Sequence, residues 1–149
     1  MNTNICTNKD QSARLLKCGV SADTADMAID IDTDKLYLGA YSERIDKVHE
    51  IPAWSLSALL SNVLPKRLDD FPFTQWIEPF SDGEICEIED NDEHVLSGDV
   101  KLSYEETAWI VDYDWDGFTG VLPNSDNPIE ACVRAIELLY ANGYKFNEQ

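Results

Sequence analysis

Thr107-Ala108-Trp109-Ile110-Val111-Asp112-Tyr113-Asp114-Trp115-Asp116-Gly117 alternates apolar and polar side chains and ends on Asp-Gly. Successive side chains of a strand point to opposite faces. The run therefore predicts a strand over 107–115, with Trp109, Val111, Tyr113 and Trp115 on one face and Ile110, Asp112, Asp114 and Asp116 on the other. Asp116-Gly117 predicts a hairpin turn, because both central residues of a type I′ turn need positive φ. An antiparallel sheet with one covered and one wet face follows. On the wet face the three carboxylates would stand ~6.8 Å apart, at ~3.4 Å rise per residue.

Period two extends outward from this run. Further strands are predicted over 73–78, 84–89, 100–104 and 118–122, with Gly83 and Gly98 in the breaks, which together read as a meander. After them Asn127-Pro128-Ile129-Glu130 supplies a helix cap, a proline at the first helical position and an acid in the first turn. Ile129, Cys132, Val133, Ile136, Leu139 and Tyr140 form one stripe, Glu130 can pair with Arg134, and Gly143 ends the helix. Before the meander, Leu56, Leu59, Leu60, Val63 and Leu64 give a helix over 52–64. A helix capped by Thr7 runs towards Gly19, a capped turn covers 21–27, and 35–41 reads as a strand. The expectation is one α+β domain over 1–149, an antiparallel meander with helices from the N-terminal third and the C-terminus packed on one face.

The charge sits on the predicted sheet. The chain has a formal net charge of −18, and fourteen acids against the single base Lys101 lie between Glu78 and Asp116. Such a surface repels nucleic acid and anionic lipid and attracts cations and basic proteins. With 44% hydrophobic residues the chain is not expected to be disordered. It has no apolar run long enough to span a membrane and no basic-then-apolar leader, so a cytoplasmic location is expected. Cys6, Cys18, Cys86 and Cys132 lack metal-site spacing and read as reduced core thiols, and Trp54 and Trp76 read as core residues.

Three uses of the acids compete. The plain one is a solvated sheet face. The second is calcium: Asp112-x-Asp114-x-Asp116-Gly117 opens like a calcium loop, but Pro123 stands where the twelfth-position Glu belongs. Asp30-x-Asp32-x-Asp34 lacks the glycine. The third is a carboxylate row that fits a basic groove as a nucleic-acid mimic would. Catalysis ranks below these. His49 and His94 lack a ligand or base-partner spacing, and no nucleophile elbow or phosphate loop is present, which leaves a small hydrolase as a remote alternative. The sequence thus points to a non-enzymatic protein with no cofactor and no metal site. It would bind a basic protein surface through Asp112, Asp114 and Asp116, with Glu84, Glu87 and Glu89 near them. Strict alternation puts Glu84 opposite Glu87 and Glu89.

Three capped-helix blocks resemble a known group. Lys9-Asp10-Gln11-Ser12-Ala13-Arg14-Leu15-Leu16-Lys17-Cys18-Gly19-Val20 is followed by Thr24-Ala25-Asp26-Met27. Ile51-Pro52-Ala53-Trp54-Ser55-Leu56-Ser57-Ala58-Leu59-Leu60 and Asp126-Asn127-Pro128-Ile129-Glu130-Ala131 complete the set. In order along the chain they resemble small uncharacterised proteins carried by phages and mobile elements of gut Bacteroidales. The resemblance implies a phage or mobile-element accessory protein that engages a host protein. It supplies no catalytic residues, and the acidic segment departs from the group.

Overall fold

Strand β1 (Met27–Asp30) lies between β2 (Leu36–Leu38) and β3 (Glu50–Ala53) in an antiparallel sheet of order β2-β1-β3. In the computed structural model, which describes residues 5–45, 48–77, 85–87, 94–105, 108–115 and 124–146, two more sheets accompany it. One has the order β4-β7-β8-β9 and is built from β4 (Arg67–Phe73), β7 (His94–Glu105), β8 (Ala108–Trp115) and β9 (Asn124–Ser125). The other is the pair β5 (Gln75–Ile77) and β6 (Ile85–Glu87). Helices α1 (Lys9–Lys17), α2 (Leu56–Ala58) and α3 (Pro128–Ala141) complete the α+β architecture.

The expected single meander is thus divided. Only β7, β8 and β9 follow one another across their sheet. β4 pairs with β7 across the intervening β5–β6 excursion. The predicted strand over 118–122 lies outside the described residues.

Helix α3 organises the core. The Asn127 side chain accepts the N–H groups of Ile129 (2.8 Å) and Glu130 (3.1 Å), as an N-cap does. Ile129, Cys132, Val133, Ile136 and Leu139 are buried as the stripe predicts, but so are Ala131, Ala135 and Leu138. The apolar surface is wider than one stripe because α3 touches β8 and β5 as well as α1 and α2. Tyr140, expected to close the stripe with its ring body covered and its hydroxyl in water, is 48% exposed.

Three helix and turn boundaries differ from expectation, and among the strands β2 is shorter than 35–41 and β7 longer than 100–104. Asn8, not Thr7, caps α1, in a reciprocal box with Gln11. Thr7 is fully buried, and its hydroxyl accepts the Trp54 N–H at 3.0 Å and bonds Ser12 at 2.8 Å. The middle helix starts at the Ser55 cap, whose hydroxyl accepts the Ala58 N–H, while Pro52 belongs to β3. Helix α2 then continues as a π turn over Leu59–Val63. The turn capped by Ser21 covers only Ala22–Thr24, and Met27 already belongs to β1.

Candidate acidic interaction surface

Strand β8 carries the centre of the predicted site, and its alternation is as read from Val111 to Asp114, whereas Ile110, read onto the wet face, is buried. Val111 and Tyr113 are buried on the core side, where the Tyr113 hydroxyl donates to the Pro65 carbonyl. Asp112 is half-buried and Asp114 exposed on the opposite side. Register places Lys101 of β7 across from Asp112 and Ser97 across from Asp114, with a bulge between Ser97 and Lys101. The Lys101 ammonium lies 3.1 Å from the carboxylate of Asp114, its diagonal neighbour, instead of its direct one. The hydrogen bond and charge of Asp114 raise the Lys101 pKa above that of a free lysine.

Room for Asp114 comes from Gly98. A methyl group there would lie 2.7 Å from one Asp114 oxygen, and Gly98 has φ +85°. Next to it, Arg67 of β4 reaches Asp69 at 3.1 Å and Asp99 at 3.4 Å. The Ser97 hydroxyl donates to the Asp70 carboxylate at 3.1 Å. Asp69, Asp70, Asp99, Asp112 and Asp114 therefore gather around two bases, Arg67 and Lys101. Two of the expected row are present, joined by three acids of β4 and β7, and the face is partly compensated instead of bare.

Glu87 is exposed on β6, in a different sheet from Asp112 and Asp114. The expected single acidic face does not unite them. Asp116, Glu84 and Glu89 lie outside the described residues. Sequence reading missed Arg67, Asp69 and Asp70 as partners of this face because β4 is hard to see. A bulge at Asp70 (φ +49°) and Pro72 both interrupt its alternation.

The second aspartate triplet is a tight turn. The Asp30 carboxylate accepts the N–H groups of Asp32 and Thr33, both at 2.9 Å, and these bonds hold its pKa below the usual carboxylate value. Asp34 adopts φ +62° and pairs with Lys9 at 2.7 Å. Asp30 thus serves the β1–β2 connection, and Asp34 ties that connection to α1. Among the described residues no three Cys, His, Asp or Glu side chains are grouped to hold a metal ion.

Catalytic residue types are dispersed. His94 opens β7 with its ring 5.8 Å from Phe73, whereas the His49 carbonyl accepts the Ile31 N–H beside the other sheet. Cys6, Cys18 and Cys132 are buried free thiols. Burial pushes Cys132 up to about 12. Burial, with Glu137 nearby, takes Cys18 to about 11, so both stay protonated and poorly nucleophilic at neutral pH. Trp54 is fully buried and donates its indole N–H to Thr24 at 2.9 Å, a core role. A groove of about 310 Å³ between the C-terminal ends of α1 and α3 is lined by Leu16, Lys17, Tyr140, Lys145 and Phe146. Lys17 stands in the last turn of α1, where a cation complements the helix dipole. No helix among the described residues is long and apolar enough to cross a membrane.

Comparison with protein-family models, with curated proteins and with solved structures finds no match for this chain.

Proposed function

We propose that this protein is a non-enzymatic binding protein that takes a basic surface of another protein. The observation that carries the reading is the outer side of β4–β7–β8, where five aspartates surround Arg67 and Lys101 on a paired sheet. The bases present leave an excess of carboxylate there. The whole chain adds to it, since 29 acids face 11 bases. A rigid array of this sign attracts basic partners over long range and speeds their encounter. The arrangement also suits a protein that competes with nucleic acid for a basic groove. In keeping with the resemblance noted above, the partner is a host protein met by a phage or mobile-element product in the cytoplasm.

The test is capture from host lysate at low and high salt, with wild type beside an Asp112→Lys/Asp114→Lys variant. A specific partner released by salt and lost in the variant supports the reading. A partner held equally by both proteins at high salt rejects it. Saturable heat on titrating calcium would favour a cation site instead.

A further inference from the structure

Sheet edges are places where another chain can add a strand, and folded proteins usually guard them with proline, bulges or charge. Two edges here are guarded. β4 has Pro72, a bulge at Asp70, and the charged Arg67 and Asp69. β3 has Pro52, and just past its end Cys6 and Thr7 bridge to Ser55 and Trp54. β2 differs. Its residues are Leu36-Tyr37-Leu38, short but without proline, bulge or charge, and among the described residues it pairs with β1 alone.

The hydrogen-bond phase of β2 is fixed by its ends. Asp30 donates to the Lys35 carbonyl at 2.9 Å, and Gly39 donates to the Asp26 carbonyl at 3.0 Å. In an antiparallel ladder bonded pairs alternate with unbonded ones. The register therefore makes Ala28–Tyr37 a bonded pair and leaves Leu36 and Leu38 opposite Ile29 and Met27 in unbonded pairs. The N–H and C=O groups of Leu36 and Leu38 point away from the sheet. Their side chains share the face of Met27, Ile29 and Ile51, a small apolar cluster at whose margin Leu38 is 73% exposed. Tyr37 lies on the other face, under Lys35 and Arg44.

Charge decides what would bind. Between Asp23 and Glu50 the sequence carries eight acids and three bases, and the chain as a whole is at −18. A second copy would bring the same charge against it. An extended basic segment would be drawn in.

We infer that the open edge of β2 takes an extended, lysine- or arginine-rich segment of a partner protein by strand addition. Leu36 and Leu38 supply the outward backbone groups, and the Leu38 side chain packs an apolar residue at an alternate position of the guest. Main-chain bonds provide the docking and alternate side chains the selection. The inference rests on the basic-partner reading and assigns it a second place on the molecule, remote from Asp112 and Asp114 in sheet topology.

The test uses the full chain, a short peptide of alternating lysine and valine, and a glutamate–valine peptide of equal length. The readout is amide hydrogen exchange of Leu36 and Leu38 by NMR. The lysine–valine peptide is expected to slow both amides by on the order of tenfold, and the glutamate–valine peptide to leave them unchanged. Leu38→Pro, which removes an outward N–H, should abolish the protection. Leu38→Lys, which keeps the backbone and adds like charge to the guest, should weaken it, and carries the test if the proline variant unfolds. Binding of the lysine–valine peptide without protection of these amides overturns the edge site while leaving a basic partner in place. No binding at low salt removes both readings. Equal protection by the glutamate–valine peptide, or protection that grows with protein concentration alone, overturns the inference in favour of charge-blind pairing or self-association.

Discussion

The guanidinium of Arg14 meets the carboxylate of Glu130 fork to fork, at 2.8 and 3.0 Å, and so ties α1 to α3. The same guanidinium bonds Glu137 about two turns further along α3, while Gln11 and Arg134 add bonds to Glu130. All three members of the central group are less than one-third exposed. Arg14→Ala would take the guanidinium from both carboxylates, leaving Glu130 with Arg134 and Gln11, at a cost of about 2–3 kcal/mol in urea unfolding, short of the value for a fully buried pair. Burial raises the Glu130 pKa, but the bonds from Arg14 and Gln11 outweigh it, and the net shift is downward from 4.5. A depressed carboxyl stabilises the fold above its unfolded pKa and stops doing so as pH falls through the folded value. The stability gap between wild type and Arg14→Ala should therefore narrow as pH drops below about 4.5. A gap that is constant from pH 7 to pH 3 would contradict this role.

Thr7→Val replaces a buried hydroxyl by a methyl group of similar size. The Trp54 N–H and the Ser12 hydroxyl then lose their partner in the interior. The expected loss is about 2–3 kcal/mol, read by denaturant midpoint, and Thr7→Ser should recover most of it.

Gly98→Ala tests the bulge beside Asp114. At φ +85° an L side chain is strained, and the new methyl would meet an Asp114 oxygen. The flexible carboxylate can swing aside, so the backbone decides the outcome. We expect a loss of about 1–2 kcal/mol. The Lys101–Asp114 contact should weaken with it, seen as altered Lys101 side-chain shifts by NMR.

Lys101→Ala addresses the surface itself. The ion pair with Asp114 is solvent-exposed, so its loss should change the melting temperature little. Capture of a basic partner should strengthen by a few-fold at low salt and return to the wild-type level as salt screens the freed carboxylate. A drop in capture would mean that Lys101 itself contacts the partner.

A net charge of −18 also carries a whole-molecule expectation. Melting temperature should rise between tens and hundreds of millimolar NaCl as self-repulsion is screened. A melting temperature flat in salt would show the charges already balanced in place.

Where local chemistry decided the structure, the sequence was a good guide. The Asn127-Pro128 start of α3, the Glu130–Arg134 pair at 2.8 Å, the positive φ of Gly19 after α1 and the alternation of β8 all depend on neighbours a few residues apart. Elements set by distant contacts were misread. Residues 52–54 look helical because apolar side chains follow them, yet β1 recruits Pro52 into a sheet, and Thr7 fixes Trp54 from 47 residues away. The short β1 carries too few residues to show a period. For the candidate site, the shared face of Asp112 and Asp114 was visible, but the Lys101–Asp114 contact was not. It is a diagonal contact between two strands, and it follows from the Lys101–Asp112 register, which the sequence of either strand alone does not show.

The late position of α3 has a consequence for biosynthesis. Eight of its residues fill the interior against strands made earlier, and β4 must wait for β7 before it has a neighbour. A growing chain therefore holds its three sheets without the helix that packs against β5, β8 and β9 until this helix leaves the ribosome. Products cut short before Pro128 would present greasy, half-paired surfaces to the proteases and chaperones of the cell, so truncation there should act as a null.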